Sequence, residues 1–344
     1  MDAKYPKIPL SLPAGVKLKK TVKWIVTEKV HGANFCITTT SEGPAAAASP
    51  VHTFNKRTGR IAGGDTFFNF RQDTTLLPIL LPKVNTLYSS LKDRHPSLCK
   101  VQVFGELFGG AYPDLPSMHR APVQRGVMYS PNLCFMAFDI CVHLAEKPAM
   151  FLDYADVMKL CHEYDMLCAE PLMTGSYQNC MAFKLGFDST IPKRLGLAPP
   201  PAGTNKAEGI VVRPLSGDNN QCSAERALVK FKIAEFAEAA VYDNRIDRNA
   251  LSASSVSQHP LLWVLKGYIN ESRVQGLISK MGPLDQESDA ETLSEYADAL
   301  VTDAMDDYFN DYGRDEWDAA GSDAQQGIML AFGGMCAEAL DKFK

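Results

Sequence analysis

Glu28-Lys29-Val30-His31-Gly32-Ala33-Asn34-Phe35 places one lysine and one glycine between two short runs of β-branched and aromatic residues, 22–26 and 33–39. Runs of that length and composition read as strands, which puts Lys29 to Gly32 at a strand end or in the connection between two strands. A lone lysine there is ordinary surface charge, and four-residue patterns recur by chance. Residues further along the chain change the reading. Lys56-Arg57, Phe104-Gly105-Glu106, Phe138-Asp139, Glu208-Gly209 and Lys230-Phe231-Lys232 appear in that order. Together they supply an amine, an aromatic surface, two carboxylates and a cluster of cations.

The frame around these residues is that of a globular protein. The chain has 344 residues, 46% hydrophobic and 22% charged, enough for one large or two ordinary domains. No apolar run approaches the length of a membrane-spanning helix, and Met1 to Lys20 has prolines and lysines without an apolar core. Neither a membrane partner nor a secretory signal is expected. The nine cysteines lack C-x-x-C spacing, and Cys134, Cys141 and Cys161 sit in apolar surroundings. Reduced core thiols in an intracellular compartment, cytoplasm or nucleus, are the expectation. Charge divides unevenly. Residues 1–240 hold 27 basic and 21 acidic side chains, whereas 241–344 hold 8 and 19. The first part suits a polyanionic ligand and the second does not.

Further strands are expected at Val51 to Arg57, Lys100 to Leu107, Leu133 to Val142, Ile210 to Arg213 and Ala227 to Ile233. Helical spacing marks Leu76 to Leu91, with Pro78 and Pro82 near its start, and Tyr154 to Leu167. Ser41 to Pro50, Gly109 to Ser130 and Leu195 to Asn205 read as loops, and Asp243 to Gln258 as a polar, Ser-rich linker. Beyond it lie three helical segments, about 260–281, 290–310 and 323–343. The organisation is a mixed α+β domain at 1–240, a linker at 241–256 and a helical domain at 257–344.

Chemistry can be assigned to the shared set. An attacking lysine must be neutral, which nearby cations and desolvation favour. Lys230 and Lys232 flank Phe231, so on a strand both face one side and both can meet a phosphate. Gly32 permits close backbone approach to a nucleotide. His31 can contact phosphate or ribose, and Asn34 can donate to a phosphate. Arg57 can grip a phosphate bidentately. Glu106 and Glu208 border apolar runs, where a carboxylate needs a partner such as a ribose hydroxyl, a metal-bound water or an ion pair. Two carboxylates beside phosphates suit Mg²⁺ with retained waters. Phe138 is either core packing or a platform for a purine.

The motifs in this order resemble the covalent nucleotidyltransferase superfamily, and within it the RNA ligase 2 family of phage nick-sealing ligases and kinetoplastid RNA-editing ligases. Glu28 to Phe35 resembles that family's motif I, with histidine where DNA ligases and capping enzymes usually carry aspartate. Lys56 to Gly59 resembles its basic strand and Val103 to Glu106 the next motif. Phe135 to Ile140 resembles motif III, Glu208 to Arg213 motif IV, and Val229 to Lys232 motif V. The resemblance implies an α+β fold: a catalytic domain of antiparallel sheets flanked by helices, with nucleotide between the sheets, followed by an all-α domain. It implies an ATP-dependent RNA ligase that forms lysyl-AMP on Lys29 and seals 3′-OH/5′-phosphate ends, with Mg²⁺ or Mn²⁺ as the metal. RNA, as a nicked duplex or an RNA/DNA hybrid, is the implied partner.

Residue by residue, the resemblance implies that Phe138 stacks on adenine, Glu106 contacts the ribose and Glu208 organises a metal, with Glu106 acting on it through water. Lys230 and Lys232 take the α-phosphate. Glu28, Arg57, His31 and Asn34 serve the nucleotide or the 5′-phosphate strand. Tyr268 to Val274 and Leu277 to Lys280 resemble a C-terminal helix of the phage enzymes, making Arg273, Asp303 and Asp307 candidates for engaging a nick. Helix-surface ion pairs are the plainer reading of those three. The strong acidity from Glu287 to Asp323 departs from the pattern and cannot be a phosphate-binding face. A DNA ligase or capping guanylyltransferase is the alternative enzyme, and a silent nucleic-acid-binding module the alternative outside enzymes. The first two usually append a small β-barrel, which the helical spacing after residue 256 disfavours.

Overall fold

Trp24–Lys29 (β1) is buried on both faces along nearly its whole length, which its unbroken apolar start, Trp24-Ile25-Val26, allows. The protein is seen in a computed structural model that describes residues 4–12, 21–42, 49–117, 119, 121–217, 226–236, 259–284 and 288–343. The chain divides into two compact units, Met1–Ile233 and Ala234–Lys344. The expected linker at 241–256 lies outside the described residues.

In the first unit, the strands in chain order are β1, β2 (Ala33–Glu42), β3 (Ser49–Lys56), β4 (Gly59–Arg60), β5 (Leu98–Ala111), β6 (Ser130–Leu144), β7 (Met150–Phe151), β8 (Pro171–Gly175), β9 (Gly209–Pro214) and β10 (Val229–Lys232). They form a four-stranded sheet ordered β10-β9-β1-β8 and a six-stranded sheet ordered β4-β3-β2-β5-β6-β7. Every ladder in both sheets is antiparallel. The helices are α1 (Leu76–Arg94), α2 (Tyr154–Glu163), α3 (Tyr177–Met181) and α4 (Ile191–Arg194). The fold class is the expected α+β.

Sequence expectations and structure differ in instructive places. The loop read at Ser41 to Pro50 is shorter, because β2 and β3 pair as far as Glu42 with Ser49. α1 runs through Pro82: that residue lies on the exposed face, while Leu76, Leu80, Val84, Leu87, Tyr88 and Leu91 make the buried stripe. β8 is a strand that the sequence does not announce, since Pro171 at its start reads as a breaker; the first position of a strand tolerates proline.

The second unit is helical: α5 (Pro260–Lys266), α6 (Glu271–Met281), α7 (Ala290–Tyr312), α8 (Asp315–Ala319) and α9 (Ser322–Asp341). The expected helix 260–281 is broken in two, because Asn270 caps α6 by accepting from the Arg273 N–H at 2.9 Å. α9 turns Ile328, Phe332, Cys336 and Leu340 inward at four-residue spacing, onto Leu265, Leu300 and Ala304. No helix among the described residues is long and apolar enough to cross a membrane.

Arg273 lies inside this unit, 1% exposed, with Nη1 2.5 Å from Asp303 Oδ2 and Nη2 2.7 Å from Asp307 Oδ2. The expectation that it grips a nucleic acid is corrected here. Its guanidinium is buried and taken up by α7, so it ties α6 to α7 and has no surface to offer a phosphate. Arg273→Ala leaves a cavity and takes the buried cation from Asp307 and Asp303, of which Asp303 keeps Lys280 at 2.9 Å, and is expected to destabilise the helical unit by about 3 kcal/mol. Urea denaturation followed by tryptophan fluorescence measures that loss.

Candidate functional site

The two sheets meet the site through one short connection. β1 ends at Lys29 and β2 begins at Ala33, so only Val30, His31 and Gly32 join them. Gly32 allows this: a Cβ there would lie 2.2 Å from the Leu107 carbonyl oxygen and 2.9 Å from Glu106 Cγ. The same closeness lets the Gly32 N–H donate to the Glu106 carboxylate. The His31 N–H donates to the Tyr129 hydroxyl at 2.9 Å.

On the four-stranded sheet, Lys29 pairs with Gly209, and Gly209 with Lys232. A Cβ on Gly209 would fall 1.9 Å from the Phe231 carbonyl oxygen, so only glycine lets β10 come this close. Glu208, just ahead of β9, thereby faces three cationic or potentially cationic groups. Lys29 Nζ lies 2.5 Å from Oε2, His31 Nδ1 3.4 Å from Oε2 and Lys232 Nζ 3.2 Å from Oε1. Burial pushes the Glu208 carboxyl up, but Lys29, His31 and Lys232 outweigh it and hold the group well below the usual carboxylate range. Lys230 lies two residues from Lys232 on β10 and so on the same strand face.

On the six-stranded sheet, Asn34 on β2 stands opposite Glu106 on β5. Arg57 follows β3, and its Nη1 donates to the Tyr5 carbonyl at 2.6 Å, so part of the expected phosphate fork is committed to main chain. Lys56 is paired with Asp65 at 2.8 Å. Glu28, expected at the nucleotide, has its carboxylate held by the Ser189 hydroxyl at 2.6 Å and by the Thr190 N–H and hydroxyl, each at 2.8 Å. Burial nonetheless pushes its pKa up. Tyr129 lies among Glu28, Glu208 and Glu106, whose charges all oppose ionisation of its buried phenol.

Phe138 on β6 is half-buried, its ring edge-on to Tyr5 with centroids 4.9 Å apart. What fixes it is its neighbour. Asp139 is fully buried and takes the Tyr5 hydroxyl at 2.5 Å, Arg213 Nη2 at 2.8 Å and Arg226 Nη1 at 2.8 Å. Arg213 Nη1 also donates to the Phe138 carbonyl at 2.8 Å. Burial works against the Asp139 carboxylate, yet the two guanidiniums keep it below its ordinary range. Sequence reasoning missed this support. Phe138-Asp139 was visible as a pair, but nothing in the sequence signals that Tyr5 and Arg226 converge on the aspartate.

The carboxylates of Glu208 and Glu106 are hard oxygen donors, the type Mg²⁺ and Mn²⁺ take, and the Glu208 charge is among the causes that shift Glu106. The donor set therefore fits a divalent cation. Burial is the main cause that pushes Glu106 up, to about 7, with Glu208 adding to it and Lys29 and Arg57 opposing. Folding thus favours the protonated carboxyl. That contribution is complete below the unfolded value of about 4.3 and fades as pH rises through about 7. A ¹³C-carboxyl NMR titration is expected to show one glutamate moving near pH 7 and absent from Glu106→Gln.

The RNA ligase family model matches residues 22–232, and the model of the T4 RNA ligase 2 C-terminal region matches 252–338. Mitochondrial RNA-editing ligase 2 of Trypanosoma brucei brucei is 27% identical over 334 residues, covering 84% of this chain and 77% of that protein. RNA-editing ligase 1 of the same organism is 29% identical over 240 residues, covering 60% of this chain, which spans only 50% of that relative's length. An archaeal ATP-dependent RNA ligase structure aligns at 18% identity and a TM-score of 0.37, over 86% of this chain and 62% of that one. The motif order, the two antiparallel sheets and the matched span of 22–232 all lead to one assignment: the chain belongs to the RNA ligase family.

Proposed function

We propose that this RNA ligase uses ATP, carries AMP covalently on Lys29 and seals 3′-OH/5′-phosphate nicks in duplex RNA or RNA/DNA hybrids. The observation that carries the reading is the buried Glu208 with Lys29, His31 and Lys232 all within 3.4 Å of it. Such a cluster sets a primary amine beside cations able to meet phosphate oxygens. In the first step, Lys29 Nζ bonds to the α-phosphorus of ATP, the bond to the β-phosphate bridge breaks and pyrophosphate leaves. In the second, a 5′-phosphate oxygen displaces the lysine and takes AMP. In the third, the 3′-OH attacks that phosphate and expels AMP.

The chain's own contribution is position and charge. Lys232, with Lys230 beside it, neutralises the α-phosphate as charge builds on it. Phe138, propped by Tyr5, offers its ring to the adenine, and Glu106 takes the ribose hydroxyls. His31, Asn34 and Arg57 serve the phosphates of nucleotide or strand, and Glu28 lines the pocket. Glu208 and Glu106 would hold Mg²⁺ or Mn²⁺, which when bound supplies further neutralisation of the phosphates.

A helical second unit favours this reading over a DNA ligase or a capping enzyme, which usually append a β-barrel. The intact set of lysines and carboxylates speaks against a silent binding module.

Incubation with Mg²⁺ and ATP labelled at the α-phosphate, followed by a denaturing gel, is expected to leave label on the wild type and none on Lys29→Ala. Wild type that takes no label, once checked for AMP already bound, overturns the reading. Glu208→Ala is expected to lose metal-dependent labelling by at least ~100-fold while keeping its fold by circular dichroism; unchanged labelling refutes the metal role. Removal of residues 256–344 is expected to spare the adduct and impair sealing of a nicked duplex, measured as ligated product on a sequencing gel.

A further inference from the structure

A second cluster lies where α2 hands over to β8, in Cys161-His162-Glu163-Tyr164-Asp165-Met166-Leu167-Cys168-Ala169-Glu170. His162 Nε2, Cys168 Sγ and a Glu170 carboxylate oxygen all lie within 4.8 Å of one another. The individual separations are 2.5 Å from His162 to Glu170, 3.9 Å from Cys168 to His162 and 3.5 Å from Cys168 to Glu170. Two ligands on one zinc ion, with Zn–S of ~2.3 Å and Zn–N or Zn–O of ~2.0–2.2 Å at tetrahedral angles, stand roughly 3.3–3.6 Å apart. The Cys168–Glu170 separation already fits, and the Cys168–His162 separation has to close by about 0.3 Å. The histidine–glutamate contact is a hydrogen bond that needs to open by under ~1 Å, and the His162 side chain is 60% exposed and able to move.

Two further observations distinguish this cluster from a surface ion pair. Cys168 is 1% exposed, so its thiol is a soft donor held away from water and aimed at a histidine and a carboxylate. A second thiol, Cys161, lies fully buried on α2. One thiol, one imidazole and one carboxylate form a mixed S/N/O set, the type zinc takes and magnesium does not. Arg194 lies 3.7 Å from Glu170 Oε1 and donates to the Cys168 carbonyl at 2.8 Å, offsetting part of the negative charge that a metallated thiolate and carboxylate bring.

We propose that His162, Cys168 and Glu170, with a water completing the tetrahedron, form a Zn²⁺ site separate from the ligase centre. Binding releases to solvent the Cys168 thiol proton and the proton that His162 Nε2 shares with Glu170, so that the freed Nε2 lone pair meets the metal while Nδ1 carries the ring N–H. The loop that the ion would clamp is tied to the adenine-side sheet. The Ala137 N–H donates to the Leu167 carbonyl at 2.8 Å, and the Ala169 N–H to the Ala137 carbonyl at 3.1 Å. Ala137 is the residue before Phe138. A metal here fixes the main chain that backs that ring.

The test uses the full-length chain, stripped with a chelator, kept reduced with a phosphine, and titrated with Co²⁺ in place of Zn²⁺. One Co²⁺ per chain is expected, with visible bands of tetrahedral cobalt and a near-ultraviolet thiolate-to-cobalt band, all bleached by Zn²⁺. His162→Gln, at an exposed position that leaves the fold alone, is expected to weaken Co²⁺ by at least ~10-fold, and Cys168→Ser to remove the thiolate band. Zn²⁺ is expected to raise the melting temperature of the wild type and not of His162→Gln. A wild type without the thiolate band, or a band unchanged in His162→Gln/Cys168→Ser, overturns the proposal.

Discussion

A carboxylate almost withdrawn from water governs this site. Glu208 can stay ionised only because Lys29, Lys232 and His31 close around it, and they are brought there by backbone pairing that leaves no room for a side chain at Gly209. The arrangement has two faces. It fixes a flexible lysine to one place, which a reaction dependent on near-attack geometry requires. It also engages that lysine, so any anion that nears it competes with Glu208 for the same cations.

The six-stranded sheet supplies the other half by a different device. There the cations support the strand that carries the ring: Arg213 and Arg226 neutralise Asp139, and Arg213 holds the Phe138 carbonyl. Stacking of the arginines on aromatic rings completes the packing, with Arg226 3.9 Å over Phe151 and Arg213 4.2 Å over Tyr154. One sheet therefore carries a cluster of ion-paired charge and the other a rigid aromatic surface. Gly32, wedged against Glu106 and Leu107, keeps the distance between them short.

The strands carrying the motifs were legible in the sequence because their apolar runs are bounded by glycine and charge, as at Lys29 to Gly32 and Glu208-Gly209. The helical character after residue 256 was legible from four-residue spacing. What escaped has physical reasons. α8 is a five-residue helix, too short for a period to show. The break between α5 and α6 depends on one capping asparagine inside an unbroken apolar pattern. Arg273 reads as a surface cation by residue type, and only tertiary contact with Asp303 and Asp307 reveals it as interior. The same limit hid the roles of Tyr5, Asp139 and Arg226, since partners 87 to 221 positions apart leave no local trace.

That last separation has a consequence for how the molecule comes into being. Tyr5 meets Asp139 across 134 positions and Arg226 across 221. A chain growing from a ribosome exposes Tyr5 well before Arg226, which emerges only after β1 to β9. Closing so long a loop is slow, and it is rewarded only when the final arginine is present. Nascent fragments ending short of Arg226 therefore carry the lysine motif but lack the finished support beneath Phe138. The interval between the two is a window in which the RNA-joining machinery exists as sequence and not yet as a site.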